Sequence, residues 1–172
     1  MIHIYSGDGK GKTTAGVGLC IRAAGAGKKV VIYQFLKDNH SSERQILAKI
    51  PEIHLIPGPD RMKFTNQMTD EEKRALSARY KNVLDDLEQQ LSKDRSYADV
   101  VFLDELLYAV KKDFVDETQI LQLISHFPDA EWIFTGRGEA GALWDKADYI
   151  SIIRKERHPL DSGIGARKGI EY

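Results

Sequence analysis

The stretch Gly7-Asp8-Gly9-Lys10-Gly11-Lys12-Thr13-Thr14 follows the short apolar run Ile2-His3-Ile4-Tyr5 with only Ser6 between them. That order reads as a first strand, a phosphate-binding loop and a helix. Three glycines free the backbone to curl and to aim its N–H groups inward at an anion. Lys12 can reach the outer phosphates as a point charge, and the Thr13 hydroxyl can ligate Mg²⁺. A helix read over residues 12–24 points its N-terminal N–H groups and positive dipole end at the same place. A nucleoside triphosphate is the expected ligand, held by Gly7, Asp8, Gly9, Lys10, Gly11, Lys12, Thr13 and Thr14.

The loop departs from the usual G-x-x-x-x-G-K-[ST] spacing. Counted back from Gly11, the first glycine position holds Ser6; counted from Gly7, only Asp8, Gly9 and Lys10 intervene. The loop is therefore one residue short, or it begins at a serine.

Beyond the loop, strands alternate with helices. Val30 to Phe35 is a second apolar strand, residues 42–50 read as helical, and Ile53 to Ile56 is a third strand stopped by Pro57-Gly58-Pro59. Thr69-Asp70-Glu71-Glu72 is a capping box that opens a long helix to about Leu91. Val100 to Leu103 is a buried strand. Asp116 caps a helix over 117–125, Trp132 to Thr135 is a further strand, and Tyr149 to Ile153 is the last. Continuous apolar runs predict strands covered on both faces. Strands separated by helices predict a mainly parallel sheet with right-handed crossovers. The expected fold is α/β: a P-loop NTPase of RecA-like type, a three-layer sandwich, with residues 1–172 as one domain. The segment from Pro57 to Met68 is a long loop of the kind that carries function.

Composition narrows the function classes. With 172 residues and a formal net charge of -1, there is no basic excess of the sort a nucleic-acid binder carries. No apolar run approaches the ~20 residues that span a membrane, and the chain enters a strand at once, so no leader or membrane is expected. Cys20 is the only cysteine, read as core, and a cytoplasmic location is expected. Histidines 3, 40, 54, 126 and 158 show no paired spacing, so no zinc or iron site is suggested. His3 and His54 read as satisfied strand residues. Neither G-x-S-x-G nor a Cys-His pattern supports nucleophilic hydrolysis.

Asp104-Glu105 stands at the carboxyl end of the fourth strand. Ligands of open parallel sheets bind in the crevice at that edge, and a carboxylate beside the phosphate loop is where Mg²⁺ is held in such sites. Thr13, Asp104 and Glu105 are thus the candidate metal residues, and the alternative is a solvated acidic pair at a helix start. Thr135-Gly136-Arg137-Gly138 repeats the layout one strand later. Arg137 either faces the nucleotide as a bidentate donor or is a surface arginine in a glycine turn. From Arg154 on, the chain is polar and glycine-punctuated, and reads as a mobile terminus whose apolar positions 160, 164, 170 and 172 allow docking on the body.

Taken together these pieces resemble the P-loop corrinoid adenosyltransferases, the ATP:cob(I)alamin and cob(I)yrinic acid a,c-diamide family. The resemblance runs from the loop through Arg22-Ala23-Ala24-Gly25 with Gly27-Lys28, Gln34-Phe35-Leu36-Lys37, Leu103-Asp104-Glu105-Leu106 with Tyr108-Ala109, and Thr135-Gly136-Arg137-Gly138. It ends on Arg157-His158-Pro159, Gly163-Ile164, Ala166 and Gly169-Ile170-Glu171-Tyr172. Two departures stand out. Family members often carry an N-terminal extension that helps close the nucleotide site, and here the first strand begins at Ile2. The family's corrinoid-side loop commonly reads Phe-Thr-Trp, and here it is Phe64-Thr65-Asn66.

The resemblance implies transfer of the 5′-deoxyadenosyl group of ATP to the Co(I) of a reduced corrinoid, with release of triphosphate. The corrinoid would be cob(I)alamin, cobinamide or cobyrinic acid diamide, in adenosylcobalamin synthesis or salvage. It further implies Mg²⁺ as cofactor, a reductase or reductant supplying Co(I), a homodimer, and a reversed seating of the nucleotide. The cobalt is the nucleophile, so the protein must position the substrates and stabilise charge growing on the leaving triphosphate. Lys10, Lys12 and the loop N–H groups suit that task. Lys12, Thr13 and Glu105 are the expected catalytic residues, Arg137 an ATP contact and Phe64 a corrinoid contact. A small-molecule kinase or ATPase on the same fold is the alternative.

Overall fold

The computed structural model describes residues 1–139 and 141–171. Its centre is a six-stranded sheet in the order β3-β2-β4-β5-β1-β6. The strands are β1 (Ile2–Ser6), β2 (Val30–Gln34), β3 (Ile53–Leu55), β4 (Val100–Asp104), β5 (Glu131–Gly136) and β6 (Tyr149–Ile152). Every pairing is parallel, which sharpens the mainly parallel expectation to an all-parallel sheet.

The apolar runs are continuous because the pleat sends alternate residues into two different cores. Val30 and Ile32 of β2, with Val100 and Phe102 of β4, face α1 (Lys12–Gly25) and α2 (Arg44–Leu47), where Cys20, Ala23 and Leu47 close the layer. Val31, Tyr33, Val101 and Leu103 face the opposite layer. That layer is built from α3 (Asp70–Lys93), α4 (Leu106–Lys111), α5 (Glu117–His126) and α6 (Gly141–Asp145). Three layers result, as expected, and Cys20 is fully buried.

Local signals place most boundaries. The capping box closes α3 at its start: Thr69 Oγ1 accepts from Glu72 N–H, and Glu72 bonds back to Thr69 N–H. Asp116 caps α5 by accepting from Thr118 N–H at 2.8 Å. Four expectations need correction. The helix read over 42–50 is α-helical only at Arg44–Leu47. Around it, bonds such as Gln45 N–H to Ser42 C=O and Ile50 N–H to Leu47 C=O span three residues, the tighter 3₁₀ pattern that short pieces adopt before a proline. β6 is not covered on both faces: Tyr149 and Ile152 are 52% and 49% exposed at the sheet edge. The long loop contains a 3₁₀ turn at Thr65–Gln67. Helices α4 and α6, to which the sequence reading assigns no element, are each too short for a periodic pattern.

His3 and His54 differ in surroundings. His3, on an interior strand, bonds Glu131 Oε2 at 2.8 Å and stacks on Tyr149 at 4.6 Å between centroids. His54, on edge strand β3, is exposed and lies against Tyr97.

α1 approaches the sheet closely through a glycine. A Cβ built at Gly16 would stand 2.5 Å from the Phe102 ring, whereas one at Gly18 would meet nothing within 4 Å. Gly16→Ala is therefore expected to destabilise the fold by about 1–3 kcal/mol through overpacking. Gly18→Ala is expected to be neutral or to stabilise by up to about 1 kcal/mol through helix propensity. Urea unfolding of both variants checks this, and equal effects would contradict the close approach.

Candidate active site

β1 ends at Ser6 and α1 begins at Lys12, with residues 7–11 between. Ser6 is a strand residue, buried, and its hydroxyl donates to Gly138 C=O at 2.9 Å. The serine thus stands where the usual motif has its first glycine, and the full spacing to Gly11-Lys12-Thr13 is kept.

Two loop glycines are demanded by the chain that follows β6. A Cβ at Gly7 would lie 2.3 Å from Ile153 O, and one at Gly9 would lie 2.7 Å from Arg154 backbone atoms. Gly9 N–H donates to Ile153 C=O at 2.8 Å, and Lys155 N–H donates to Asp8 Oδ1 at 3.0 Å. Lys12 is buried, and its ammonium donates back to Gly9 C=O at 2.8 Å. Burial lowers its pKa and Glu105 opposes that shift.

The acidic partner lies two strands away, with β5 intervening between β1 and β4. Asp104 is completely buried, so the solvated reading fails for it. Its Oδ1 accepts from Thr13 Oγ1 at 2.8 Å and from Thr135 Oγ1 at 2.6 Å. Its Oδ2 accepts from Gln34 Nε2 at 3.1 Å and from Lys37 Nζ at 2.7 Å. Glu105 follows with φ 57°, a left-handed position, and its N–H donates to Thr135 Oγ1 at 2.8 Å. Burial pushes the Glu105 carboxyl up and Asp104 adds to the rise, while Lys37, Lys12 and Arg137 pull back only part of it. Arg137 is exposed, with its charge acting on both Lys12 and Glu105.

Two open cavities meet over this edge. One, of about 820 Å³, is lined by Thr13, Thr14, Lys37 and Glu43, and by Gly169 and Glu171 of the tail. The other, of about 760 Å³, is lined by Glu105, Tyr108, Lys112 and Phe114. Leu36, Lys37, Met62, Lys63 and Phe64 line both. Phe64 is 75% exposed on that shared wall.

The tail reaches the site by charge rather than by apolar docking. Leu160, Ile164 and Ile170 stay exposed, while Glu171 lies 3.5 Å from Lys10 and pairs with Arg167, which holds its carboxyl down at about 2. Tyr172 lies outside the described residues.

Sequence reasoning named Ser6 only as a position in the loop spacing, passed over Gln34 and Thr135 as individual side chains, and gave Lys37 no role. A usable signal was present: each is a polar residue at or just past the carboxyl end of an apolar strand, the edge where such sheets bind ligands.

The donor set suits Mg²⁺, which takes hard oxygens from one or two carboxylates and completes its shell with water and phosphate. Among the described residues no cluster of three His, Cys, Asp or Glu side chains forms a metal cage, so phosphate oxygens would have to supply the rest.

A threonine closing a glycine loop, bonded across an intervening strand to a buried strand-end aspartate, defines a P-loop nucleotide-binding domain. Residues 1–172 match the protein family described as ATP:corrinoid adenosyltransferase BtuR/CobO/CobP, and the chain belongs to that family. The corrinoid adenosyltransferase of Escherichia coli (strain K12) is 32% identical over 179 residues, spanning 100% of this chain and 85% of that protein. Corrinoid adenosyltransferase CobA of Salmonella typhimurium is 30% identical over 173 residues, with the same two coverages of 100% and 85%. The corrinoid adenosyltransferase of Pseudomonas aeruginosa is 30% identical over 176 residues, covering 100% of this chain and 83% of that one. The chain is thus an enzyme of a transferase family. Among solved structures, EssC (ATPases 2 and 3) from Geobacillus thermodenitrificans is similar at TM-score 0.47 and 17% identity, over 99% of this chain and 36% of that one. No helix among the described residues is long and apolar enough to cross a membrane.

The raised Glu105 pKa has a pH signature. Folding favours its protonated form, so that contribution is full below the ordinary glutamate value of about 4.3 and is lost as pH rises through the raised value. Glu105→Gln is expected to be more stable than wild type at neutral pH, with the difference vanishing in acid. Denaturant unfolding across a pH series checks this, and a pH-independent difference would contradict it.

Proposed function

We propose that this chain transfers the 5′-deoxyadenosyl group of ATP to the Co(I) of a reduced corrinoid, as one P-loop domain over residues 1–172. The observation that carries the reading is the pair of cavities sharing one wall. A nucleotide seated by Thr13 and Thr14 would meet a second large substrate across Lys37 and Phe64. Family membership supplies the substrate class.

In the transfer, the cobalt electron pair forms a bond to the ribose 5′-carbon. The bond from that carbon to the triphosphate oxygen breaks, triphosphate leaves with its electrons, and Co(I) becomes Co(III). No protein nucleophile is required. Lys12 is buried beside the loop and can turn from the Gly9 carbonyl to a phosphate oxygen, where charge develops on the leaving group. Lys10, now paired with Glu171, and the exposed Arg137 can add to that field. Thr13, Asp104 and Glu105 would hold Mg²⁺, whose charge neutralises part of the triphosphate. Phe64 offers an apolar face to the corrinoid. The homodimer, the Co(I)-supplying reductant and the reversed nucleotide seating belong to this same reading and rest on the resemblance.

The test is anaerobic mixing with Mg-ATP and chemically reduced cob(I)alamin. Loss of the Co(I) absorbance, intact triphosphate and a light-sensitive Co–C product are expected. ADP and phosphate with Co(I) untouched would instead mark a kinase or ATPase. In the same assay Lys12→Ala is expected to lose at least roughly 10²-fold in turnover, the scale for one preorganised donor. Phe64→Ala is expected to raise the corrinoid KM with ATP affinity unchanged. Near-normal turnover of the first variant, or an unchanged corrinoid KM in the second, removes that residue from its role.

A further inference from the structure

Asp104 and Thr13 carry oxygens suited to a nucleotide-bound divalent ion, yet the ammonium of Lys37 already lies on both. Its Nζ is 2.7 Å from Asp104 Oδ2, 3.3 Å from Thr13 Oγ1 and 3.8 Å from Glu43 Oε1. The single hydroxyl hydrogen of Thr13 goes to Asp104, so Lys37 bonds the acceptor side of that oxygen, which is the side a metal ion needs. A lysine ammonium and a divalent ion drawn to the same buried carboxylate repel one another.

The backbone aims this side chain. Leu36 has φ 56°, a left-handed region that a non-glycine residue keeps only where the surroundings impose it. Its N–H donates at 2.8 Å to the hydroxyl of Tyr80, a fully buried residue of α3. The start of the lysine stem is thereby fixed, while the stem itself runs along the wall shared by the two cavities. Lys37 lines the first cavity, where an anion would meet the same side chain.

We propose that Lys37 is a positioning residue, a tethered cation that holds the metal's place in the nucleotide-free protein, keeps free divalent ions out, and moves onto the triphosphate when the metal–nucleotide complex enters. Asp104 is then never buried unpaired, and the divalent ion enters only together with its nucleotide. The inference rests on the nucleotide-binding part of the proposed function and not on the corrinoid chemistry.

The test counts free Mn²⁺ by electron paramagnetic resonance in nucleotide-free protein. Wild type and Lys37→Arg are expected to bind it weakly. Lys37→Met is expected to bind it at least about tenfold more tightly, the scale on which removing one adjacent like charge acts. The gain is expected to disappear when Asp104→Asn is added. Tight Mn²⁺ binding by wild type overturns the proposal without any variant, as does equal binding by wild type and a folded Lys37→Met, or a gain that survives Asp104→Asn. In excess EDTA and in the Asp104→Asn background, where no buried carboxylate holds the ammonium back, adding Lys37→Met is expected to weaken binding of metal-free ATP at least about tenfold, and equal affinity overturns the move onto the triphosphate. None of these measurements contains a corrinoid, so their failure and a failure of adenosyl transfer are distinguishable.

Discussion

The Asp104 carboxylate, sealed from solvent at the end of β4, ties the molecule together. Its four donors come from the start of α1, the ends of β5 and β2, and the chain just beyond β2. A carboxylate removed from water carries a penalty of several kcal/mol unless its lone pairs are filled, and here both oxygens are. That saturation sets how deeply the N-terminus of α1 seats against the sheet. One turn along, Gly16 lies against Phe102, two residues before Asp104 on the same strand. α1 is thus joined to β4 by a polar clasp at its tip and by steric fit beneath it.

The same edge gathers the buried polarity of the protein. Among the described residues the buried polar and charged side chains are Ser6, Lys12, Gln34, Asp104 and Thr135. Ser6, Gln34 and Asp104 close parallel strands, Thr135 stands one residue before the end of another, and Lys12 opens the helix facing them. Elsewhere the interior is apolar apart from polar groups on aromatic rings, where the Trp132 indole N–H donates to Phe127 C=O and the Tyr80 hydroxyl accepts from Leu36 N–H. A network of this kind, fully satisfied, fixes one geometry for the groups that must meet a ligand.

Much of this was legible in the residues because each signal had a local physical cause. The glycine loop, the Thr69 capping box, the Asp116 cap and the Val100–Leu103 run all form from neighbours in sequence. What was not legible depends on partners far along the chain. The need for glycine at positions 7 and 9 comes from Ile153 and Arg154, which no spacing within the loop could reveal. The exposure of β6 follows from its place at the sheet edge, and its apolar composition alone reads as core. The position of Lys37 depends on a left-handed Leu36 held by Tyr80. Asp104 could be named from its strand-end position, but its desolvation could not, because that is set by Gln34 and Thr135 from two other strands.

The placement of β1 has a consequence for the order in which the protein is made. β1 is made well before its two neighbours in the sheet, β5 and β6, which follow it by more than a hundred residues. Through most of translation it has no ladder to join, and its pairing closes loops of well over a hundred residues, the type of contact that folds slowly. The glycine loop leans on the residues that follow β6. A nascent chain that has not reached β6 therefore carries the whole loop sequence without the segment that the loop leans on. Until the residues after β6 are made, Gly7 and Gly9 lack the Ile153 and Arg154 backbone on which their loop packs.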